Sequence, residues 1–253
     1  MNMSKRLVPI ALVAAVPLLS AAGTGASARG ATSCAAIRAA DPTAGDGDYT
    51  VRVAGASIPV YCHDMAGGNP LDYIDLVQTG GAHNFSQYTA GGASPGTSVV
   101  TRYTKLRIDL LHPASFQPLT FRVNIADETF STSTGQLCHS SPQPCSGPTL
   151  VKAMPYAVAF DCVSPGSMSG VANLDLTGTV FEAVNTFTLQ TFEGAGSTAY
   201  TPQVVNLTGG GYCGWNAPAV TYNPHDTNPL QDANGGYDLQ LRLYLPGLGQ
   251  LAR

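Results

Sequence analysis

Apolar and polar residues alternate with a period of two along much of this chain, the spacing of a strand with one face buried. Tyr49, Val51 and Val53 alternate with Thr50 and Arg52, residues 54–57 (Ala-Gly-Ala-Ser) make a turn, and Ile58-Pro59-Val60-Tyr61-Cys62 returns. Pro59 has no N–H to give to a ladder, so the returning strand is expected at an edge or a bulge. Leu106, Ile108 and Leu110 face one way with Lys105, Arg107 and Asp109 opposite. Leu119, Phe121, Val123 and Ile125 alternate with Thr120, Arg122 and Asn124. These two segments predict a pair of strands connected through 111–115. Tyr156, Val158, Phe160 and Cys162 share one face of another strand, and 174–181 and 186–192 continue the pattern around turn residues. The most regular segment follows the turn Asn234-Gly235-Gly236. There Tyr237, Leu239, Leu241, Leu243 and Leu245 form an apolar face with Asp238, Gln240, Arg242 and Tyr244 outside.

Helical signals are few. Residues 31–41 form the best short helix, with Ser33 as its cap and Pro42 beyond its end. A bridge from Cys34 to Cys62 would tie that helix to the hairpin. Residues 66–98 read as loop-rich, with Gly67-Gly68, Gly80-Gly81 and Gly91-Gly92 around the short piece 73–77. No period of 20 to 50 residues recurs and no low-complexity linker divides the chain. The pattern therefore predicts a mainly β, antiparallel, sandwich-like domain with one short N-terminal helix, continuous over 29–253.

The first 28 residues read differently. Lys5 and Arg6 precede an apolar run, 7–19, broken by Pro9 and Pro17, and Ala26-Ser27-Ala28 matches a small-residue cleavage site. A membrane span wants about 20 apolar residues, so 1–28 is expected to be a signal peptide and the remainder a secreted, extracellular protein. Cleavage removes two basic residues and moves the formal charge from −4 to −6. An acidic chain with scattered arginines suits neither nucleic acid nor an anionic membrane surface. Charged residues make up 11% of the chain, against about 25% in an average soluble domain. Its polar surface comes instead from Thr, Ser, Gly, Asn and Gln, which favour turns and outer strand faces.

Six cysteines, at 34, 62, 138, 145, 162 and 213, predict three disulfides in an exported chain, with about 15 pairings open. Metal binding competes at Cys62-His63 and Cys138-His139, but neighbouring side chains on a strand point to opposite faces. Among catalytic motifs, no two histidines have the spacing of a zinc protease helix. Residues 92–96 match the G-x-S-x-G elbow, yet Pro95 lacks the N–H that an oxyanion hole needs there. Asp127-Glu128 is a candidate for facing a ligand or an ion, and equally a solvated strand end. His225-Asp226, in a proline- and asparagine-rich loop, joins them as the most chemical group, the basis of an alternative reading as a hydrolase with a dispersed site. Trp215, the single tryptophan, sits near Tyr212 and Tyr222, either as a sugar-stacking platform or as a cap over Cys213. The aspartates of 41–48 are open to calcium or to plain turn chemistry. Asn84-Phe85-Ser86 and Asn206-Leu207-Thr208 are glycosylation sequons.

Two resemblances rest on particular residues. Ser33 to Met65, with S-C-A-A-I-R-A-A-D and then I-P-V-Y-C-H-D-M, resembles the start of fibrinogen C-terminal-like domains. It implies a Cys34–Cys62 bridge and raises a calcium-dependent lectin as a further alternative. The second resemblance covers nearly all of the chain after residue 28. L-D-Y-I-D-L (71–76), N-F-S-Q-Y (84–88), T-K-L-R-I-D (104–109), D-E-T-F (127–130), G-V-A-N-L-D-L-T-G-T-V-F (170–181) and G-G-Y-C-G-W (210–215) resemble, in that order, the GON domain. That domain is the C-terminal module of some ADAMTS metalloproteases. It implies a non-catalytic module, with zinc confined to a separate protease domain of those enzymes. The export signal, the cysteine framework and the absent catalytic motif lead to the expectation that this module binds an extracellular glycan or protein. With Cys34–Cys62 in place, Cys138–Cys145 and Cys162–Cys213 complete the expected pairing.

Overall fold

The computed structural model describes residues 30–89, 98–110, 120–123, 130–133, 137–138, 150–151, 159–161, 170–184, 187–190, 196–210, 214–218 and 239–244. The expected signal segment lies outside them.

Helix α1, Cys34–Ala40, starts where expected because the Ser33 Oγ accepts the Ala36 N–H at 3.2 Å. It ends as the Asp41 N–H closes on the Ile37 carbonyl at 2.8 Å, with Pro42 unable to continue it. Seven residues cannot hold a helix in water by themselves. Burial of Cys34 and Ile37 and the disulfide Cys34–Cys62 hold α1 on the sheet.

The strands run in chain order β1 (Gly47–Val53), β2 (Ala56–His63), β3 (Leu71–Asp75), β4 (Phe85–Thr89), β5 (Ser98–Tyr103), β6 (Lys105–Asp109), β7 (Thr120–Val123), β8 (Ser131–Ser133) and β9 (Leu137–Cys138). They continue as β10 (Leu150–Val151), β11 (Ala159–Asp161), β12 (Gly170–Asp175), β13 (Phe181–Ala183), β14 (Phe187–Gln190), β15 (Gly196–Tyr200), β16 (Val204–Gly209), β17 (Gly214–Pro218) and β18 (Leu239–Leu243). A seven-stranded sheet has the order β1-β2-β3-β6-β7-β18-β13. A nine-stranded sheet follows β14-β17-β11-β4-β12-β16-β15, with β5 beside β4 and β8 beside β5, and β9 and β10 form a separate pair.

The β1–β2 turn is tighter than the sequence suggested. Only Ala54 and Gly55 lie in it, at φ 47 and 87, while Ala56 and Ser57 already pair with Val53 and Arg52. Two residues at positive φ match the twist of the flanking strands. β3 pairs only with Tyr61, Cys62 and His63 of β2, so Pro59 lies past the end of β3, at the kind of edge its missing N–H requires. The expected β6–β7 pair is present, with Ile108 opposite Val123. Alternation holds through β18, where Leu239, Leu241 and Leu243 are buried and Arg242 is exposed.

Several expectations need correction. The stretch 66–98 contains β3 and β4, and β4 lies in the middle of the larger sheet. Its Ser86 is fully buried whereas Phe85 is half-buried, an inversion that no apolar pattern reveals. The turn within 174–181 lies at Thr177-Gly178, after β12 ends at Asp175 and before β13. Pairing is antiparallel except between β4 and β11, which run parallel. Trp215 stands within β17, opposite Phe160 and Gln190, and not in a loop.

The larger sheet curls until its two ends meet. Asn216 of β17, fully buried, donates from Nδ2 to the Ser197 carbonyl at 2.8 Å and to Thr198 Oγ1 at 2.9 Å, both on β15. One buried apolar cluster draws on both sheets, with Leu106, Phe121 and Leu241 from one and Leu174, Val205 and Ala217 from the other.

Of the three expected bridges, Cys34–Cys62 is present, with a Cα separation of 5.4 Å. Cys138 stands in β9 opposite Leu150, and Cys145, Cys162 and Cys213 lie outside the described residues. Beside the bridge, Asp72 faces Cys62 across β2 and β3 and accepts the Cys34 N–H at 2.7 Å. Burial, opposed by that hydrogen bond and reinforced by Asp109, pushes its carboxyl up to about 6. An acid that protonates more readily folded than unfolded weakens the fold as pH rises, from about pH 4 until the folded group has ionised just above 6. Asp72→Asn keeps an acceptor for Cys34 and removes the charge. It is expected to raise stability at pH 7 by about 3 kcal/mol and to have little effect near pH 4. Urea unfolding of both proteins from pH 4 to 8 tests this, and parallel pH profiles would refute it.

Candidate functional site

Asp127, Glu128, His225 and Asp226 lie outside the described residues, and Trp215 is placed only by its strand position. A different group comes together on the outer face of the seven-stranded sheet.

Strand alternation sends Ile58, Val60 and Cys62 of β2 inward and leaves Tyr61 and His63 on the other face. Register then brings Tyr73 of β3 opposite Tyr61, and Lys105 of β6 opposite Asp75 of β3. Phe130 comes back over this face because its carbonyl accepts the Thr104 N–H at 3.0 Å and the Thr104 hydroxyl at 3.3 Å. Its ring meets Tyr73 at 4.8 Å, His63 at 5.3 Å and Tyr61 at 5.6 Å between centroids, all edge to face, the arrangement that aromatic quadrupoles favour. The Lys105 ammonium lies 4.1 Å from the Tyr61 centroid and 5.5 Å from that of Phe130, and it pairs with Asp75.

Carboxylates rim these rings. Asp46 Oδ2 lies 2.9 Å from His63 Nδ1 and accepts the Asp64 N–H, while Oδ1 accepts the Met65 N–H at 2.8 Å. The Met65 N–H, aided by Asp64 and His63, holds the Asp46 carboxyl below the ordinary range. Asp48 is exposed opposite Tyr61 in the β1–β2 register. The face thus offers aromatic rings, one seated cation and an anionic edge.

A second group is structural. Asn84, fully buried at φ 50, donates from Nδ2 to the carbonyls of Gln78 and Asp175 and accepts the Asp175 N–H at Oδ1. His83 Nδ1 lies 2.8 Å from Asp175 Oδ2. Burial raises the Asp175 carboxyl, but hydrogen bonds from Thr177 and His83 outweigh it and leave the group below its ordinary range. The Asn84 sequon is therefore a packing device, since a buried amide has no room for a glycan. Asn206, in β16, is exposed and accepts from Asn173 Nδ2 through Oδ1.

The metal readings do not fit these residues. Cys34 and Cys62 are bonded to each other, and His63 turns to Asp46. Asp41 is occupied by Thr43, whose N–H and hydroxyl both reach its Oδ1. Among the described residues no three His, Cys, Asp or Glu side chains gather as ligands for zinc or calcium. Among the same residues, no helix is long and apolar enough to cross a membrane.

The chain is similar to the protein "A disintegrin and metalloproteinase with thrombospondin motifs 20". It is 27% identical to the Mus musculus form over 168 residues, covering 61% of this chain and 8% of that protein. To the Homo sapiens form it is 29% identical over 152 residues, covering 58% and 8%. It therefore spans under a tenth of the length of these relatives, a single module's share. No solved structure matches it. The model of the GON domain matches residues 31–223, most of the chain, and with those boundaries the chain belongs to the GON domain family.

Proposed function

We propose that this protein is an exported, non-catalytic GON module, cut after Ala28, whose 29–253 portion binds an extracellular partner, a glycan or a protein. The observation that carries the reading is the outer face of the seven-stranded sheet, where the half-buried rings of Tyr61, His63 and Phe130 meet beside Lys105, with the buried Tyr73 packed against Phe130. Aromatic side chains held rigidly at a surface supply contact area at low entropic cost. Strand register and the Cys34–Cys62 bridge hold this group before any partner arrives, which lowers the cost of binding. The resemblance to a module of much longer extracellular-type proteins supports the same reading.

Immobilised 29–253 is expected to retain a component from cell-wall polymers or secreted proteins. The double variant Tyr61→Ala, His63→Ala, with its fold verified by circular dichroism, is expected to lose it. Retention of nothing, or equal retention by both proteins, would remove this face as the binding site.

A further inference from the structure

The geometry points to a lysine- or arginine-bearing segment of a partner protein as the ligand of the aromatic face. This inference rests on the binding role proposed for that face and names its chemistry. Lys105 already shows what the rings accept. Its ammonium lies 4.1 Å over the Tyr61 ring and 5.5 Å from the centre of Phe130, within the roughly 6 Å over which a ring quadrupole attracts a cation.

Charge around the rings has the matching sign. Asp46, Asp48 and Asp75 border the group, and Lys105 is the cation seated among them. Further along β6 on the same face, Arg107 is followed by Asp109, so the next stretch is balanced. The whole chain carries a formal charge of −4. An acidic polymer would meet this rim with repulsion, and a neutral glycan would gain nothing from its charge.

Lys105 can share the site. Its partner Asp75 is 48% exposed on the side-chain scale, so a second cation can reach the same carboxylate from solvent. Asp46 stays ionised well into acid, because backbone N–H groups favour its charged form. An incoming lysine or arginine would then lie against Tyr61 or His63 while pairing with Asp75, Asp48 or Asp46. Arginine adds a planar guanidinium that stacks on rings.

The test measures binding of the full chain to biotinylated decalysine, decaarginine, heparin and chitohexaose at two salt concentrations. The two basic peptides are expected to bind, and to bind more weakly as salt rises. Lys105→Met removes the resident cation while keeping an apolar stem, and is expected to tighten both peptides about three- to five-fold. Tyr61→Leu and Asp75→Asn are expected to weaken them by a similar factor. This opposition of signs is the diagnostic, since a change that merely disturbs the fold would weaken binding in every variant. If Lys105→Met weakens binding and heparin is the preferred probe, Lys105 anchors an anion and the inference is overturned while the partner-binding role stands. Preference for chitohexaose has the same consequence. Failure of both basic peptides overturns the inference outright, and failure of all four probes together with empty capture from extracellular material overturns the binding role as well.

Discussion

Asn84→Ala is expected to lower the unfolding free energy by about 4 kcal/mol. The side chain of Asn84 serves three backbone groups at 2.7 to 2.8 Å: the part-buried Gln78 carbonyl and the buried Asp175 carbonyl and N–H. Truncation leaves all three without that partner. An orphaned buried polar group costs about 1 to 3 kcal/mol, and carbonyls with a second lone pair fall at the lower end. Alanine also tolerates φ 50 less well than asparagine does, which adds about 1 kcal/mol. Asn84→Gly relieves the backbone alone and is expected to recover only that last part. Chemical denaturation of the three proteins separates the two contributions. A loss below about 1 kcal/mol in the alanine variant would mean that water replaces the amide, contrary to its complete burial.

Removing the Cys34–Cys62 bridge by a double change to alanine is expected to cost about 3 to 4 kcal/mol. The two cysteines are 28 residues apart in sequence, and closing a loop of that length in the unfolded chain accounts for the figure in the chain-entropy model. The loss should also be local. Helix α1 is too short to persist alone, and without the bridge it keeps only the burial of Ile37 and the bond from Cys34 to Asp72. Hydrogen exchange is therefore expected to speed up first at Ile37 and Asp41, whose N–H groups close the helix, before the sheets open. An unchanged denaturation midpoint with unchanged exchange in α1 would show that the helix is held by packing alone.

Asp72 connects the bridge to solution conditions. Its carboxylate is the buried neighbour of Cys62 and the acceptor for the first residue of α1, so the electrostatic cost of ionising it falls on the same clamp. The helix should be held more firmly near pH 5 than near pH 8.

Where one face of a strand is apolar and the other polar, the alternation reports the structure directly. β6, β7 and β18 were legible for that reason, as were the hairpin of β1 and β2 and the capped helix after Ser33. Two strands escaped because they do not alternate. β4 buries Ser86 beside a half-buried Phe85, and β12 is buried along nearly its whole length, including Asn173 and Asp175. Burial of polar groups in this part of the sheet is possible only because Asn84, Asn173 and Tyr103 satisfy one another across strands distant in sequence.

The aromatic face proposed for binding illustrates the same division. Tyr61, His63 and Lys105 could each be read as outward-facing from the period-two pattern, and Phe130 belongs to the D-E-T-F piece through which the family resemblance is recognised. Sequence chemistry instead drew attention to the more conspicuous Asp127, Glu128 and His225-Asp226. Nothing in the linear order shows that residues of β2, β3 and β6 become neighbours, or that Thr104 draws Phe130 over them.

From the amino-acid order alone came the β class, the capped helix, the family and the faces of the regular strands, because these depend on residues close together in the chain. Only tertiary structure decided which strands pair, that Asn84 is a buried support and not a glycan acceptor, and that a lysine lies over the Tyr61 ring beside Phe130 within an acidic rim. Those outcomes depend on register between strands far apart in sequence, where a shift of one residue would turn every outward side chain inward.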